Sequence, residues 1–260
     1  MKRPSPTASK MRGLGILLAF SLLVHSDTLP SVHHGRMDTL PRLTLWAWER
    51  PVDLTGIDPR TAAVAYLDRT VLVGDGITSP ALRVLLRRQP LSVAQGTKKI
   101  AVVRLETQPG LYLNAAMREA VTAQMLAAVR ADSAALQIDF DARRSEREWY
   151  RQLLGDVRKR MPVEMPLSVT ALASWCMGDD WMAGLPVDEA VPMMFRMEPD
   201  RKRSEAERDE NRIREPLCVG SVGVSTDEPW PDWMVGRRVY VFSNSAWTID
   251  TVGEVTRRTE

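Results

Sequence analysis

The chain has 260 residues, 44% of them hydrophobic, and a formal net charge of +2. That apolar content supports a sizeable core and excludes wholesale disorder. A near-neutral balance without a long basic block also lacks the basic stripe of a nucleic-acid-binding surface.

From the amino terminus, Lys2, Arg3, Lys10 and Arg12 precede the apolar run Leu14–Val24. A polar stretch follows it. Basic residues, a short apolar run and small residues at a cleavage point are the layout of an export signal. The run is too short to span a bilayer comfortably. Residues 1–26 are therefore predicted to be a signal peptide, leaving no stable membrane insertion once it is removed. A periplasmic or extracellular location follows. Residues 27–41 carry Pro, Gly and His without periodicity and are predicted to be a tether.

Eight short apolar runs come next: Leu43–Trp48, Ala62–Leu67, Ile100–Leu105, Ala135–Phe140, Leu167–Ala171, Val191–Phe195, Leu217–Val222 and Arg238–Phe242. Most are apolar almost throughout, the mark of strands buried on both faces. Between them, Leu113–Arg130 repeats Ala, Met, Val and Leu at helical spacing. Ser145–Met161 does so through Trp149, Leu153, Val157 and Met161, with Ser145 and Glu148 placed as a capping box. Alternation of strand and helix predicts an α/β fold, a (β/α)8 TIM-like barrel over residues 42–252, with 253–260 as a tail. One unit is irregular, because Thr70–Val73 followed by Gly74-Asp75-Gly76 reads as a hairpin near 70–85. Residues 198–215 are highly charged and read as a solvated surface segment. Cys176 lies just past one predicted strand and Cys218 near the start of another, at opposite ends of a barrel. Buried thiols are the expectation, with a disulfide left open.

The chemistry is first narrowed by absence. The histidines, His25, His33 and His34, all precede the barrel. A Ser-His-Asp mechanism and a His-rich zinc site thereby lose their central residue. No phosphate-binding glycine motif follows a strand, so neither a metal nor another cofactor is expected. Carboxylates remain for acid and base work.

In such a barrel, functional groups come from the carboxyl ends of the strands. The sharpest pattern there is Asp139 and Asp141, spaced i, i+2 on the fourth strand and hence on one face. Like charges held together raise one pKa, which suits an acid. Arg104 and Glu106 repeat the spacing on the preceding strand. Asp139, Asp141 and Glu106 are the candidate catalytic groups, although a salt-bridge network would explain the same residues. Trp46, Trp48, Trp175 and Trp247 fall near strand ends, where flat aromatic faces suit the C–H faces of a sugar. With Glu49, Arg104, Arg196, Asp227 and Glu228 they form the candidate binding set. The expected partner is a saccharide or polysaccharide and not a nucleic acid. Oligomeric state is not written in the pattern.

Four segments together resemble a bacterial family catalogued as domain of unknown function 3142. They are Leu45-Trp46-Ala47-Trp48-Glu49-Arg50-Pro51, Ile138–Asp141, Leu172-Ala173-Ser174-Trp175-Cys176 and Val187-Asp188-Glu189-Ala190-Val191-Pro192-Met193. The resemblance spans roughly residues 42–250 and implies a barrel related to glycoside hydrolases, with no established activity. More weakly, the fourth strand is similar to the chitinase-type motif Asp-x-x-Asp-x-Asp-x-Glu. Asp139 and Asp141 match its second and third acids. Leu136 replaces the first Asp, and Arg143 stands where the Glu proton donor would be. Two functions stay open: a glycoside hydrolase-like enzyme using another donor, and a catalytically silent barrel that binds glycan or an envelope partner.

Overall fold

The computed structural model describes residues 1–2, 35–77, 81–195 and 213–259. Residues 3–26 of the predicted signal peptide and most of the predicted tether lie outside them, as do Arg196 and most of the charged segment before Arg214. In chain order the strands are β1 (Leu43–Ala47), β2 (Val52–Leu54), β3 (Ala62–Val73), β4 (Leu82–Leu86), β5 (Leu91–Val93) and β6 (Lys99–Thr107). They continue with β7 (Ser133–Asp139), β8 (Leu167–Leu172), β9 (Glu189–Met193), β10 (Ser221–Ser225) and β11 (Arg238–Phe242). The helices are α1 (Ala115–Ala127), α2 (Arg147–Arg160), α3 (Ala173–Gly178) and α4 (Ile249–Thr259).

Eight parallel strands close into a barrel in the order β1, β3, β6, β7, β8, β9, β10, β11. Leu43 of β1 is in register with Ala62 on one side and Val239 on the other, which closes the ring. These are the eight apolar runs of the sequence. The seventh begins later than its apolar run, because Pro216–Cys218 forms a 3-10 turn before β10.

Alternation along each strand sorts side chains into two cores. Leu45, Val64, Val103, Ile138, Val169 and Val241 point outward and pack with Val121, Met125, Leu153 and Val157 of α1 and α2. Trp46, Ala65, Ile100, Val102, Ala135, Val191 and Tyr240 point into the lumen. The lumen is also polar. Trp46 Nε1 donates to Gln137 Oε1 at 3.0 Å, Gln137 Nε2 to Ser168 Oγ at 3.1 Å, and Ser168 Oγ to Glu189 Oε1 at 3.0 Å. Tyr240 also donates its hydroxyl to Glu189 Oε1, and Arg238 Nε stands 3.5 Å from Oε2. Each of these side chains thereby finds a partner, as burial demands, whereas the buried Thr44 Oγ1 of β1 has none.

The irregular unit is present. After β3, the chain turns back as β4, antiparallel to it from Arg69–Leu86 to Val73–Leu82. β2 and β5 form a separate two-stranded parallel sheet. β3 carries a bulge between Leu67 and Arg69. The extra residue, Asp68, is buried and bound by Arg69 Nε and Arg130 Nη2 at 2.8 and 2.7 Å.

Four local expectations are corrected. Residues 35–41 are packed: Met37 and Leu40 are buried against the lumen cluster, and Arg238 Nη2 donates to Met37 O at 2.7 Å. Residues 253–259 are the second half of α4, with Val252 and Val255 buried. The capping box uses other residues. A 3-10 turn at Arg144–Glu146 precedes α2, and it is the Glu146 carboxylate that reaches back to Arg143 N, at 2.7 Å. Finally, Cys176 and Cys218 form a disulfide with Cα atoms 5.9 Å apart. They meet because α3 turns down the outside of the barrel while the returning chain passes it, with Arg214 N donating to Cys176 O at 2.8 Å.

Candidate active site

The carboxyl ends of the barrel strands surround a cavity of about 410 Å³. Inward parity supplies its floor: Trp46 of β1, Arg104 of β6, Asp139 of β7, Met193 of β9, Ser225 of β10 and Phe242 of β11 all line it. Leu172 at the end of β8 and the loop residues Trp48, Arg50, Asp141, Phe195, Ser243 and Asn244 complete the wall.

One side is aromatic. The Trp46 and Trp48 rings stack with centroids 5.1 Å apart at 20°, Phe242 lies 4.6 Å from Trp46, and Phe195 lies 4.8 Å from Phe242. Trp46 is fixed at two points. Its indole donates to Gln137, and its carbonyl accepts from Trp247 Nε1 at 3.0 Å. Trp247 itself is buried behind the wall. The Arg104 guanidinium sits 5.3 Å from the Trp48 centroid, close enough for a cation–π contact.

The other side is acidic. The Asp139 side chain is only 13% exposed. It accepts from Thr170 Oγ1 at 2.8 Å and from Arg104 Nη1 at 3.4 Å. Burial, the largest effect, pushes its carboxyl above the ordinary range, and the charges of Asp141 and Glu106 push the same way. Arg104 and the Thr170 hydrogen bond pull back without cancelling the rise. Asp141 is exposed at the rim of the same cavity. For Arg104, burial works against the cation, but the Glu106 hydrogen bond and the charges of Asp139, Glu106 and Asp141 outweigh it and raise its pKa.

The structure thus gathers Trp46, Trp48, Arg104, Asp139 and Asp141 at one cavity and holds the other described candidates elsewhere. Glu106 accepts from Arg104 Nε at 2.7 Å and faces a neighbouring cavity of about 230 Å³ that shares Arg104, Asp139 and Asp141. Arg143 lies there too and binds Glu146 and Thr107, so the donor position of the chitinase-type motif holds a paired cation. Glu49 accepts from the backbone N–H of Arg88 and Gln89 and secures the turn after β4. Trp175 is buried outside the barrel, edge-on to Trp181 at 4.9 Å. It sits on α3, past the strand, where the chain has already turned away from the mouth. Asp227 is exposed and takes the Asn244 side-chain amide, while Glu228 belongs to the same turn. Sequence reading missed Arg50 and Phe242. Phe242 was available from parity, two residues beyond lumenal Tyr240, whereas Arg50 lies past the end of β1, where strand parity no longer holds. Among the described residues, no group of His, Cys, Asp or Glu side chains is arranged to hold a metal ion.

The family model described as "Domain of unknown function (DUF3142)" matches residues 95–197, the stretch from β6 to β9 that carries both aspartates. No curated protein matches the sequence. Two solved structures are similar in fold. One is the chitinase domain of the spore coat protein CotE from Clostridium difficile, at 13% identity and a TM-score of 0.40, covering 65% of this chain and 52% of that one. The other is the Bacillus cereus spore cortex-lytic enzyme SleL, at 17% identity and a TM-score of 0.45, covering 70% and 50%. The chain thus spans about half the length of each.

Proposed function

We propose that this barrel, matched at its centre by the domain of unknown function 3142 model, holds a saccharide at the mouth and hydrolyses it with a carboxylate pair. The observation that carries the reading is the placement of Asp139. It is a buried carboxyl with its pKa pushed up, on the floor of a cavity whose opposite wall is aromatic. A carboxyl whose pKa is raised holds its proton to higher pH, which suits donation to a leaving glycosidic oxygen. Asp141, on the rim, is the group left to act as base or nucleophile. The aromatic wall packs against C–H faces, while Ser225, Ser243 and Asn244 offer partners for hydroxyls.

A second reading, glycan binding without hydrolysis, is favoured by two ion pairs. Arg104 holds Glu106, and Arg143 occupies the motif's donor position. One experiment separates the two. The protein is incubated with a panel of bacterial and plant polysaccharides, and reducing ends are measured beside binding. Hydrolysis lost in Asp139→Asn supports the enzyme. Binding without release in the unmodified protein supports the silent barrel. Neither release nor binding refutes the saccharide reading.

Export is part of the same proposal. The basic and apolar amino terminus has the order of a signal peptide, and the Cys176–Cys218 disulfide suits an oxidising compartment. Among the described residues, no helix is long and apolar enough to cross a membrane.

A further inference from the structure

We infer that the saccharide bound at this mouth carries a carboxylate, and that Arg50 receives it; the inference rests on the saccharide reading above. Arg50 lines the cavity and is half-buried. Among the described residues, no carboxylate pairs with it, and its guanidinium makes one hydrogen bond, to the carbonyl of Asn244. The contrast within the same cavity is direct. Arg104 is bound by Glu106 and Asp139. The nearby Asp227 carboxylate is taken up by the Asn244 amide and the Thr226 hydroxyl. A guanidinium has five N–H donors in a planar fork, and one bond to a carbonyl leaves most of that fork for a ligand. A single fork matches a single carboxylate in the bidentate manner.

The loop that carries Arg50 is held in place before any ligand arrives. Arg50 N donates to Trp48 O at 2.8 Å, and Pro51 follows. Arg87 clamps the loop from below, donating to Trp48 O at 2.7 Å and to Arg50 O at 2.8 Å. Binding to a held cation avoids the entropy of ordering a free side chain's backbone. Position adds a geometric requirement. Arg50 is tied to the residue pair following β11, and β7, which bears Asp139, stands four strands around the eight-strand ring from β11. The carboxylate therefore belongs to a part of the ligand displaced from the part over Asp139. An oligosaccharide containing a uronic acid meets that requirement.

The test uses matched tetrasaccharides: β-1,4-glucuronan and α-1,4-galacturonan, the methyl ester of each, and cellotetraose as the neutral control. Dissociation constants are measured by calorimetry at low and high salt. The acid form is expected to bind about tenfold tighter than its ester at low salt, with the gap narrowing in salt. Arg50→Gln is expected to bring the acid-to-ester ratio close to one, and Arg50→Lys to retain part of it. Thermal melts confirm that both variants fold, and if one fails the other still decides the ratio. Equal binding of acid and ester, or an unchanged ratio in Arg50→Gln, overturns the inference and leaves the saccharide reading intact. Failure of every sugar here, charged or neutral, overturns the inference, while the saccharide reading itself falls only if the polysaccharide panel also fails.

Discussion

Replacing both cysteines, as Cys176→Ala/Cys218→Ala, isolates what the cross-link contributes. The bridge joins residues 42 apart in sequence. On the loop-closure model, a cross-link of that span removes entropy from the unfolded chain worth about 4 kcal/mol at 25 °C. Native contacts hold the same region, since Arg214 N and Glu215 N both donate to Cys176 O. The loss therefore falls mainly on the unfolded state, and unfolding speeds up less than refolding slows. For a domain of this size, about 4 kcal/mol corresponds to roughly 8–16 °C in melting temperature. Differential scanning calorimetry of the double variant and of the unmodified protein, each with and without reductant, reads it. The unmodified protein should melt at the variant's temperature once reduced, while the variant should ignore reductant. Neither cysteine lines the cavity, so ligand affinity at 25 °C should hold. A double variant melting within a degree of the oxidised protein would show that the bridge is not closed in solution.

Asp139 and Glu189 both have pKa values raised chiefly by burial, so the folded chain holds protons that the unfolded chain releases. Their contribution to stability is present below the ordinary carboxylate range near about pH 4 and declines as pH rises through the raised values. The melting difference between the unmodified protein and Glu189→Gln should change in that direction across a pH series, and a flat difference would contradict it. Gly223 faces the lumen with Met193 Sδ 3.0 Å and Phe242 Cε2 3.4 Å from where a Cβ would stand. Gly223→Ala should push these two cavity-lining side chains toward the mouth, weakening saccharide binding at a stability cost of about 1 kcal/mol because the methionine end is flexible. Unchanged affinity in a calorimetric titration would count against the assigned cavity. Trp48→Ala should weaken binding, whereas Trp175→Phe should lower stability by about 1–3 kcal/mol and leave affinity alone. The reverse pattern would move the site to the outside of the barrel.

Runs without polar alternation, such as Ala62–Leu67 and Leu167–Ala171, were enough to mark strands covered on both faces, because period and burial are local properties of the chain. The hairpin after β3 was equally legible from Gly74-Asp75-Gly76. Parity carried part of the site as well: i, i+2 spacing put Asp139 with Asp141 and Arg104 with Glu106 on one face each, and barrel closure turns Asp139 and Arg104 to the lumen. What the chain could not state alone was where each strand end lies relative to its neighbours. Trp175 is close in sequence to β8, but α3 rotates it onto the outer face. The bulge at Asp68 is marked by no local pattern, and its carboxylate is taken up by Arg69 and Arg130. Cys176 and Cys218 looked like opposite ends of a barrel and meet because connecting segments run back along its height. Arg50 lies in an unremarkable loop, and only barrel closure sets it beside Asn244, 194 residues away. Local pattern decides which residues form strands and which face each side chain takes. Which side chains converge at the mouth is decided by closure, bulges and turn direction, and these depend on contacts between segments far apart in the chain.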